Sequence, residues 1–224
     1  MFHLKLYQKL IPIIRKITHS KYLIKIIFGL NIPSNIEVEF DMTTLLLRYC
    51  ISKEIKKNKR VFEMGIGTGG LLSNFIGKRF KNRVYGVDIS KKRVKQSQLV
   101  SELNNVKNSF IWGDLFEKIT DKYDYISFNP PYVPTQIGKK LKLDESEFRL
   151  AWDGGEDGMF LIDKFLEESY SYLKNNGKII IGIQSLFIPR EKIDNCISTK
   201  KITIVRIYKL PFLTSKVYIL EKEK

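Results

Sequence analysis

The chain has 224 residues, of which 43% are hydrophobic and 28% charged, a balance typical of a globular protein with one sizeable domain. Two distant cysteines and two histidines near the amino end provide neither a disulfide framework nor a metal-ligand spacing. We therefore expect a reduced, cytoplasmic protein without a metal. The net charge of +15 favours an anionic partner such as nucleic acid, although a lysine-rich composition alone also produces such a charge.

Residues 1–40 are predicted to form a basic, helical extension ahead of a main domain at residues 41–224. Apolar residues at spacings of three and four predict two short amphipathic helices, interrupted near Pro12 and His19. No apolar run is long enough to span a membrane. The extension has no acidic residue before position 37, and its cations are Lys5, Lys9, Arg15, Lys16, Lys21 and Lys25. It fits a lid over a substrate site, a surface-binding arm or packing helices.

From Asp41, which can cap a helix, strand and helix patterns alternate to the end of the chain. We predict strands at Val61–Met64, Val84–Asp88, Ser109–Trp112, Tyr125–Phe128, Lys178–Ile183, Ile202–Tyr208 and Lys216–Leu220. Helices are predicted at Gly70–Phe80, Lys91–Asn104, Met159–Lys174 and Arg190–Ser198. This alternation indicates an α/β fold with a doubly wound, seven-stranded, mostly parallel sheet, in which the last two strands pair antiparallel because their connection is short. Such sheets bind ligands at the carboxyl ends of their strands.

Glycines crowd the end of the first predicted strand, in the sequence VFEMGIGTGG. Gly65, Gly67 and Gly69 follow the strand and precede a helix, so backbone N–H groups can approach a ligand closely. Gly65, Gly67 and Gly70 also satisfy the G-x-G-x-x-G pattern of dinucleotide sites. The loop therefore predicts a nucleotide-type ligand without choosing which one.

Two carboxylates end the next two predicted strands. Asp88 follows the glycine loop by roughly 20 residues, where a carboxylate can accept both hydroxyls of a ribose. The alternative for Asp88 is a helix cap, for which Ser90 is better placed. Asp114, in IWGDLFE, could accept a hydrogen bond from an adenine amino group, although Gly-Asp is also a common turn pair. Residues that could line the adenine ring are Trp112, Leu115 and Phe116.

The fourth predicted strand ends in Asn129-Pro130-Pro131-Tyr132, a sequence suited to holding a planar nitrogen nucleophile. The lone pair of an amide or exocyclic amine is delocalised, so such a nitrogen attacks a methyl group poorly. The Asn129 side-chain oxygen and the Pro130 carbonyl could accept its two N–H bonds and direct the lone pair toward the methyl group. Tyr132 could stack on the planar group, and the prolines keep the loop stiff and its carbonyls unpaired. A dehydrogenase has no use for these residues.

In these four motifs the chain resembles the class I S-adenosylmethionine-dependent N-methyltransferases. The motifs are Glu63-x-Gly65-x-Gly67-x-Gly69, Asp88, Gly113-Asp114 and Asn129-Pro130-Pro131-Tyr132. Within that class, NPPYVP followed by RLAWDGGEDGMFLIDKFLEES is similar to the HemK-type group, the glutamine methyltransferases of peptide release factors and their relatives. The resemblance covers roughly Val61 to Ile183. It implies a Rossmann-like methyltransferase fold and S-adenosylmethionine as cofactor.

The resemblance also implies residue roles. The loop glycines would approach the methionine part of the cofactor, with Glu63 shaping the loop. Asp88 would accept the ribose hydroxyls, and Asp114 would lie on the adenine side. Asn129 would touch both cofactor and acceptor. The acceptor-binding residues would be Asn129, Pro130, Pro131 and Tyr132, with the DGGEDG loop packed behind them.

The chain departs from the HemK-type pattern ahead of the glycine loop. A longer helical substrate-recognition domain usually stands there, and EVEFDMTT replaces the usual Pro- and Glu-containing stretch. Three hypotheses follow: methylation of a protein glutamine in a translation factor or ribosomal protein, N6 methylation of a flipped adenine in RNA or DNA, and binding without turnover. We favour the first, because the intact motifs argue against the third.

Overall fold

A computed structural model of the protein describes residues 17–141, 143, 149–211 and 213–223. The strands are β1 (Val61–Met64), β2 (Val84–Asp88), β3 (Ser109–Trp112), β4 (Tyr123–Phe128), β5 (Leu173–Gln184), β6 (Ile202–Lys209) and β7 (Ser215–Lys222). The helices of the described residues are α1 (Lys21–Phe28), α2 (Met42–Glu54), α3 (Leu71–Phe80), α4 (Lys91–Leu103), α5 (Thr135–Lys140), α6 (Arg149–Trp152), α7 (Phe160–Tyr172) and α8 (Arg190–Ser198).

The strands form one seven-stranded sheet in the order β3-β2-β1-β4-β5-β7-β6. Strands β1 to β5 are parallel, and β7 pairs antiparallel with both β5 and β6. The predicted fold class and the antiparallel pairing of the last two strands are therefore confirmed. The strand order reverses between β1 and β4, so the glycine loop and the Asn-Pro-Pro-Tyr sequence emerge side by side at one edge of the sheet.

The sheet is buried on both faces, which explains why its central strands are continuously hydrophobic. Along β5, Ile181 and Ile183 pack in one cluster with Phe165 of α7. Ile180 points the other way and packs in a second cluster with Leu47 of α2. Each layer of helices thus covers a face whose side chains come from alternate strand positions.

Several boundaries differ from those predicted, most of them by one or two residues. Strand β4 begins at Tyr123, two residues early, and β5 begins at Leu173, so helix α7 ends at Tyr172 instead of continuing to residue 174. The sequence Leu-Lys-Asn-Asn-Gly has the composition of a turn, but Leu173 pairs with Tyr123, and tertiary pairing overrides that local preference. The short helices α5 and α6 were not predicted, because six and four residues are too few for a clear helical period.

The described part of the amino-terminal extension packs onto the main domain. Ser20 caps α1, as the predicted interruption near His19 requires, and Ile24 and Phe28 of α1 are buried in the same cluster as α2. Lys21 donates to the carbonyls of Pro33 and Ser34 at 2.7 Å, so this cation holds α1 to the loop that follows it within the extension. The first predicted helix, Pro12 and the cations before residue 17 lie outside the described residues. The boundary at residue 40 stays a prediction, and no helix of the described ranges is long and apolar enough to cross a membrane.

Candidate active site

A cavity of about 970 Å³ opens at the carboxyl ends of β1, β2, β3 and β4. Its volume is at the upper end of the range for small-molecule sites. The structure brings together nearly every residue predicted for the site. The cavity is lined by Glu63, Gly65, Gly67, Asp88, Asp114, Asn129, Pro130, Pro131 and Tyr132. Gly69 differs from the expectation, because it lies beneath the loop, where an added Cβ would come within 2.9 Å of Val38.

Gly67 shows why the loop after β1 needs glycine. Its φ is +64°, a left-handed conformation that other residues rarely adopt. A Cβ added there would meet nothing within 4 Å, so the residue borders open space in which a ligand can approach the backbone. The Gly67 N–H donates to an Asp88 oxygen at 2.9 Å and is therefore directed into the protein.

Asp88 at the end of β2 organises the two segments beside it. One of its carboxylate oxygens accepts from the Gly67 N–H and the other from the Ser90 N–H, each at 2.9 Å. Ser90 caps α4, as predicted, so Asp88 is not itself the cap. Each carboxylate oxygen can accept more than one hydrogen bond, so Asp88 holds the loop in place and keeps acceptor capacity for a ligand hydroxyl.

Glu63 lies beneath the glycine loop with its side chain almost fully buried. Burial raises the pKa of Glu63 to about 8, and the negative charge of Asp88 adds to the rise. The hydroxyl of Ser73 donates to the Glu63 carboxylate, which offsets part of this shift. Near neutral pH, Glu63 is therefore largely a neutral group that accepts a hydrogen bond from Ser73 of α3. Its role in shaping the loop stays a prediction.

The residues after β3 divide between cavity and core. Asp114 and Leu115 line the cavity. Two of the expected ring-lining residues lie elsewhere. Phe116 is buried in the core, stacked on Tyr172 at 4.5 Å between ring centroids, and Trp112 is exposed with Lys91 4.2 Å from its ring centroid. Aromatic character alone did not reveal which face of the loop each side chain occupies.

Asn129 is held by its amide nitrogen. That nitrogen donates to Thr44 Oγ1 at 3.1 Å and to Asp41 Oδ1 at 3.4 Å. Its side-chain oxygen Oδ1 is buried and has no hydrogen-bond partner among the residues that the structure describes. A buried acceptor without a partner is costly, so this oxygen marks a place where a donor from a ligand is expected.

Tyr132 is held by its hydroxyl and by its ring. The hydroxyl donates to Asp41 Oδ2 and lies 3.1 Å from Thr43 Oγ1. The ring lies nearly parallel to that of Phe187, with the centroids 6.2 Å apart. The phenol is thus fixed at the mouth of the cavity with an aromatic neighbour.

The DGGEDG loop packs directly against the backbone of the Asn-Pro-Pro-Tyr sequence. An added Cβ at Gly158 would come within 2.5 Å of the Tyr132 carbonyl, and one at Gly154 within 2.8 Å of the Pro131 carbonyl. The N–H of Gly154 also donates to the Val133 carbonyl at 2.9 Å. Only residues without side chains allow this approach, which explains why the two glycine-containing sequences occur together.

Sequence reasoning missed two residues of the site, Asp41 and Thr44. Asp41 was identified only as a helix cap, and it does cap α2 through the Thr44 N–H at 2.7 Å. The capping pattern was visible in EFDMTT, but its position next to Asn129 depends on a contact between residues 88 positions apart. Among the described residues, no group of histidine, cysteine, aspartate and glutamate side chains is arranged to hold a metal.

Comparison with protein-family models matches residues 36–145 to the family described as "Methyltransferase small domain". A protein of Methanocaldococcus jannaschii, named provisionally as a protein N5-glutamine methyltransferase, is 43% identical over 138 residues, which cover 62% of this chain and 68% of that protein. A release factor glutamine methyltransferase of Thermodesulfovibrio yellowstonii is 35% identical over 129 residues, covering 55% of this chain and 46% of that one. The chain therefore spans about half the length of that bacterial relative.

Solved structures share the fold at lower sequence identity. A ribosomal protein L11 methylase from Lactobacillus delbrueckii subsp. bulgaricus superposes with a TM-score of 0.66 at 17% identity, covering 87% of this chain and 86% of that one. A methyltransferase from Pyrococcus furiosus gives 0.64 at 18% identity, with 89% and 92% covered. At such identities the likeness shows the fold alone.

Proposed function

The chain belongs to the HemK-type group of class I S-adenosylmethionine-dependent methyltransferases, and we propose that it transfers a methyl group to a glutamine side chain of a translation factor. The names of the archaeal and bacterial relatives support this acceptor. A translation factor as substrate also places the reaction in the cytoplasm. The adenine alternative lacks comparable support, since the more similar relatives are named for glutamine methylation.

The unpartnered oxygen of Asn129 carries the proposal. A primary amide such as glutamine presents two N–H bonds in one plane, so it needs two acceptors at a set spacing. Asn129 Oδ1 is buried without a partner among the described residues, and Asn129 and Pro130 line the cavity side by side. One N–H of the acceptor would bond Asn129 Oδ1 and the other the Pro130 carbonyl, with Tyr132 beside the amide plane.

The cofactor is S-adenosylmethionine, and the residues of the cavity fit it. The open space beside Gly67 admits a ligand close to the backbone, and carboxylates end both β2 and β3. We propose that Asp88 accepts the ribose hydroxyls, that Asp114 lies on the adenine side, and that the loop of Gly65 and Gly67 borders the methionine part. We propose that Asn129 borders both ligands, because it lines the same cavity as Asp88 and Pro130.

When bound, the cofactor supplies a methyl group on a positively charged sulfur, which leaves as a neutral thioether. Asn129 and Pro130 hold the acceptor nitrogen so that its lone pair is directed at that methyl carbon. The new N–C bond forms as the C–S bond breaks, and the nitrogen then loses a proton to water. Because that proton becomes acidic only after methylation, the site needs no strong base, and preorganised acceptors supply the catalysis.

The proposal is tested by methyl transfer from cofactor carrying a labelled methyl group. Purified release factor and total RNA from the same cells are offered separately, and digested products are analysed by mass spectrometry. We expect label in the release factor, on one glutamine, and a release factor in which that glutamine is replaced by glutamate should accept none. Label in adenine of the RNA, with none in protein, would overturn the glutamine assignment, although the protein would still be a methyltransferase.

A further inference from the structure

Asp41 joins the first turn of α2 to two residues of the proposed acceptor site. Its Oδ1 accepts from the N–H and the hydroxyl of Thr44, at 2.7 Å and 2.6 Å, and also from Asn129. Its Oδ2 accepts from the Tyr132 hydroxyl. One carboxylate therefore caps a helix and contacts both side chains assigned to the acceptor.

These contacts determine which way the Asn129 amide faces. A carboxylate can only accept, and Thr44 uses its one hydroxyl proton on Asp41, so the Thr44 oxygen can only accept from Asn129. Both neighbours on this side of the amide are thus acceptors, and the amide must turn its N–H₂ group toward them. The opposite atom, Oδ1, therefore faces away from Asp41 and Thr44, in a residue that lines the cavity.

The Tyr132 hydroxyl belongs to a directed chain of hydrogen bonds. At its far end, Gln184 Oε1 accepts from the Leu186 N–H at 3.2 Å, so Gln184 Nε2 faces Ser215 and can only donate to it, also at 3.2 Å. The Ser215 hydroxyl lies 2.9 Å from Thr43 Oγ1, which lies 3.1 Å from the Tyr132 oxygen. The chain runs from Gln184 through Ser215, Thr43 and Tyr132 to Asp41.

A donor at one end and an acceptor at the other give this chain one direction. Its four bonds need four protons, and these come from the Gln184 amide and from the hydroxyls of Ser215, Thr43 and Tyr132. Ser215 and Thr43 are fully buried, so water does not replace a missing bond there. Every hydroxyl orientation is thereby specified.

We propose that Asp41 is the positioning residue of the acceptor site, which orients Asn129 directly and Tyr132 through this directed chain. The expected effect of this arrangement on methyl transfer rests on the proposed function. Without Asp41 as acceptor, the Asn129 amide can turn over and present N–H₂ to the N–H₂ of the acceptor, which repels it. The Tyr132 hydroxyl also loses the partner that sets its direction.

The decisive test is to reverse the chain. Asp41→Asn keeps a good helix cap but puts a donor where Tyr132 needs an acceptor, so the chain has donors at both ends. We expect kcat to fall on the order of tenfold, as when an outer hydrogen-bond partner of a functional group is removed. Gln184→Glu alone leaves acceptors at both ends and one bond without a proton. The double variant restores one donor and one acceptor, so kcat should recover at least threefold or so over Asp41→Asn.

Asp41→Asn combined with Gln98→Glu is the matched control, because it makes the same pair of substitutions with the second on the outer part of α4. It should show no recovery, and cofactor affinity measured by calorimetry should be unchanged in every variant. Should Asp41→Asn fold poorly, Thr44→Val and Thr44→Ser test the Asn129 contact instead. Thr44→Ser keeps the oxygen that accepts from Asn129, so it should have a higher kcat than Thr44→Val, which lacks that oxygen.

The same double-mutant cycle in chemical denaturation needs no acceptor, so it separates this inference from the proposed function. Suppose that the protein methylates no release factor, but that Asp41→Asn and Gln184→Glu are coupled in their effects on the free energy of unfolding. This result would support the directed chain and overturn the proposed release-factor acceptor. Suppose instead that the protein methylates release factor, but that the effects of the two substitutions on kcat and on stability are additive. This result would overturn the positioning role of Asp41.

Discussion

Helix α2 carries a carboxylate near each end, and the two differ in their partners. Glu54, in its last turn, pairs with Lys178 at 3.1 Å and Arg206 at 2.9 Å and accepts from the Tyr208 hydroxyl. Asp41, at its N-cap, takes its hydrogen bonds from neutral donors, namely backbone, hydroxyl and amide groups. The first carboxylate lies at the edge of the sheet opposite the cavity, and the second lies at the cavity wall.

The hydrogen-bond and ion-pair partners of a buried or half-buried carboxylate determine its role in the protein. Cations compensate the charge of Glu54, so its contacts hold α2 to β5 and β6. Neutral donors leave the charge of Asp41 uncompensated by a cation in these contacts, and the favourable end of the helix dipole supports it instead. Such a carboxylate orients dipoles around it, which is what a site built from an amide and a phenol needs.

The largest effect should come from the amide that Asp41 orients. Asn129→Ala removes the acceptor proposed to hold the target nitrogen, so we expect kcat to fall on the order of a hundredfold or more, the scale for one preorganised polar group. Cofactor affinity should change little, because the cofactor-binding carboxylates remain. Single-turnover methyl transfer and calorimetry on the same preparation measure both quantities.

Asn129→Asp is the matched variant, because it keeps an oxygen in place and adds a charge next to Asp41. We expect it to retain more activity than Asn129→Ala. If Asn129→Ala turned over at the wild-type rate, the unpartnered oxygen would have no role in catalysis.

Asp88→Ala should weaken the cofactor rather than the chemistry. The substitution removes the acceptor proposed for the ribose and the support for the Gly67 N–H. We expect about 1–3 kcal/mol of lost binding free energy, which corresponds to a roughly 5-fold to 150-fold increase in Kd. Asp114→Ala, at the other proposed contact, should weaken binding less because Asp114 supports no loop hydrogen bond of this kind. If Asp88→Ala bound S-adenosylmethionine as tightly as wild type, Asp88 would not be a ribose contact.

Glu54→Gln should affect stability and leave methyl transfer intact. We expect a loss of about 1–3 kcal/mol in the free energy of unfolding, less than for a fully broken buried pair because Lys178 keeps Glu221 at 3.5 Å. Burial alone would raise the pKa of Glu54, but hydrogen bonds from Tyr208 and Lys178 and the nearby cations lower it. Its stabilisation is therefore present above the pKa of the unfolded chain and is lost as pH falls through the lowered folded pKa.

Chemical denaturation across acidic pH measures this contribution. Wild type should lose stability toward acid more steeply than Glu54→Gln, and the difference between them should shrink as Glu54 becomes protonated. A Glu54→Gln protein as stable as wild type at neutral pH, but impaired in methyl transfer, would contradict the division of roles along α2.

The sequence predicted the parts of the site that lie at strand ends. Strand-helix alternation and the rule for parallel sheets placed Gly67, Asp88 and Asn129 on one edge, because each lies at the end of a strand or just after it. The family resemblance added Glu63. The contacts of Asp41 with the acceptor site could not be predicted, because the sequence pattern of a capping residue is the same whether or not a distant loop packs against it. The true position of Phe116 depends on the turn after β3, where Leu115 has a φ of +41° that no sequence period indicates.

Glu63 is a third carboxylate to set beside Asp41 and Glu54, and its hydrogen bonds from the described residues come from Ser73. Burial and the charge of Asp88 raise the pKa of Glu63 to about 8, against the hydrogen bond from Ser73. A positively charged cofactor in the cavity favours the ionised form, so below that pKa binding must expel a proton and is weaker. Affinity for S-adenosylmethionine should therefore rise with pH through about 8 and level off above it. A fall of about one unit in this pKa on binding corresponds to at most about tenfold in Kd.

Glu63→Gln removes the titration at nearly constant volume, so calorimetry across this pH range should give a flat profile for it. An equally steep rise in Glu63→Gln would assign the titration to another group.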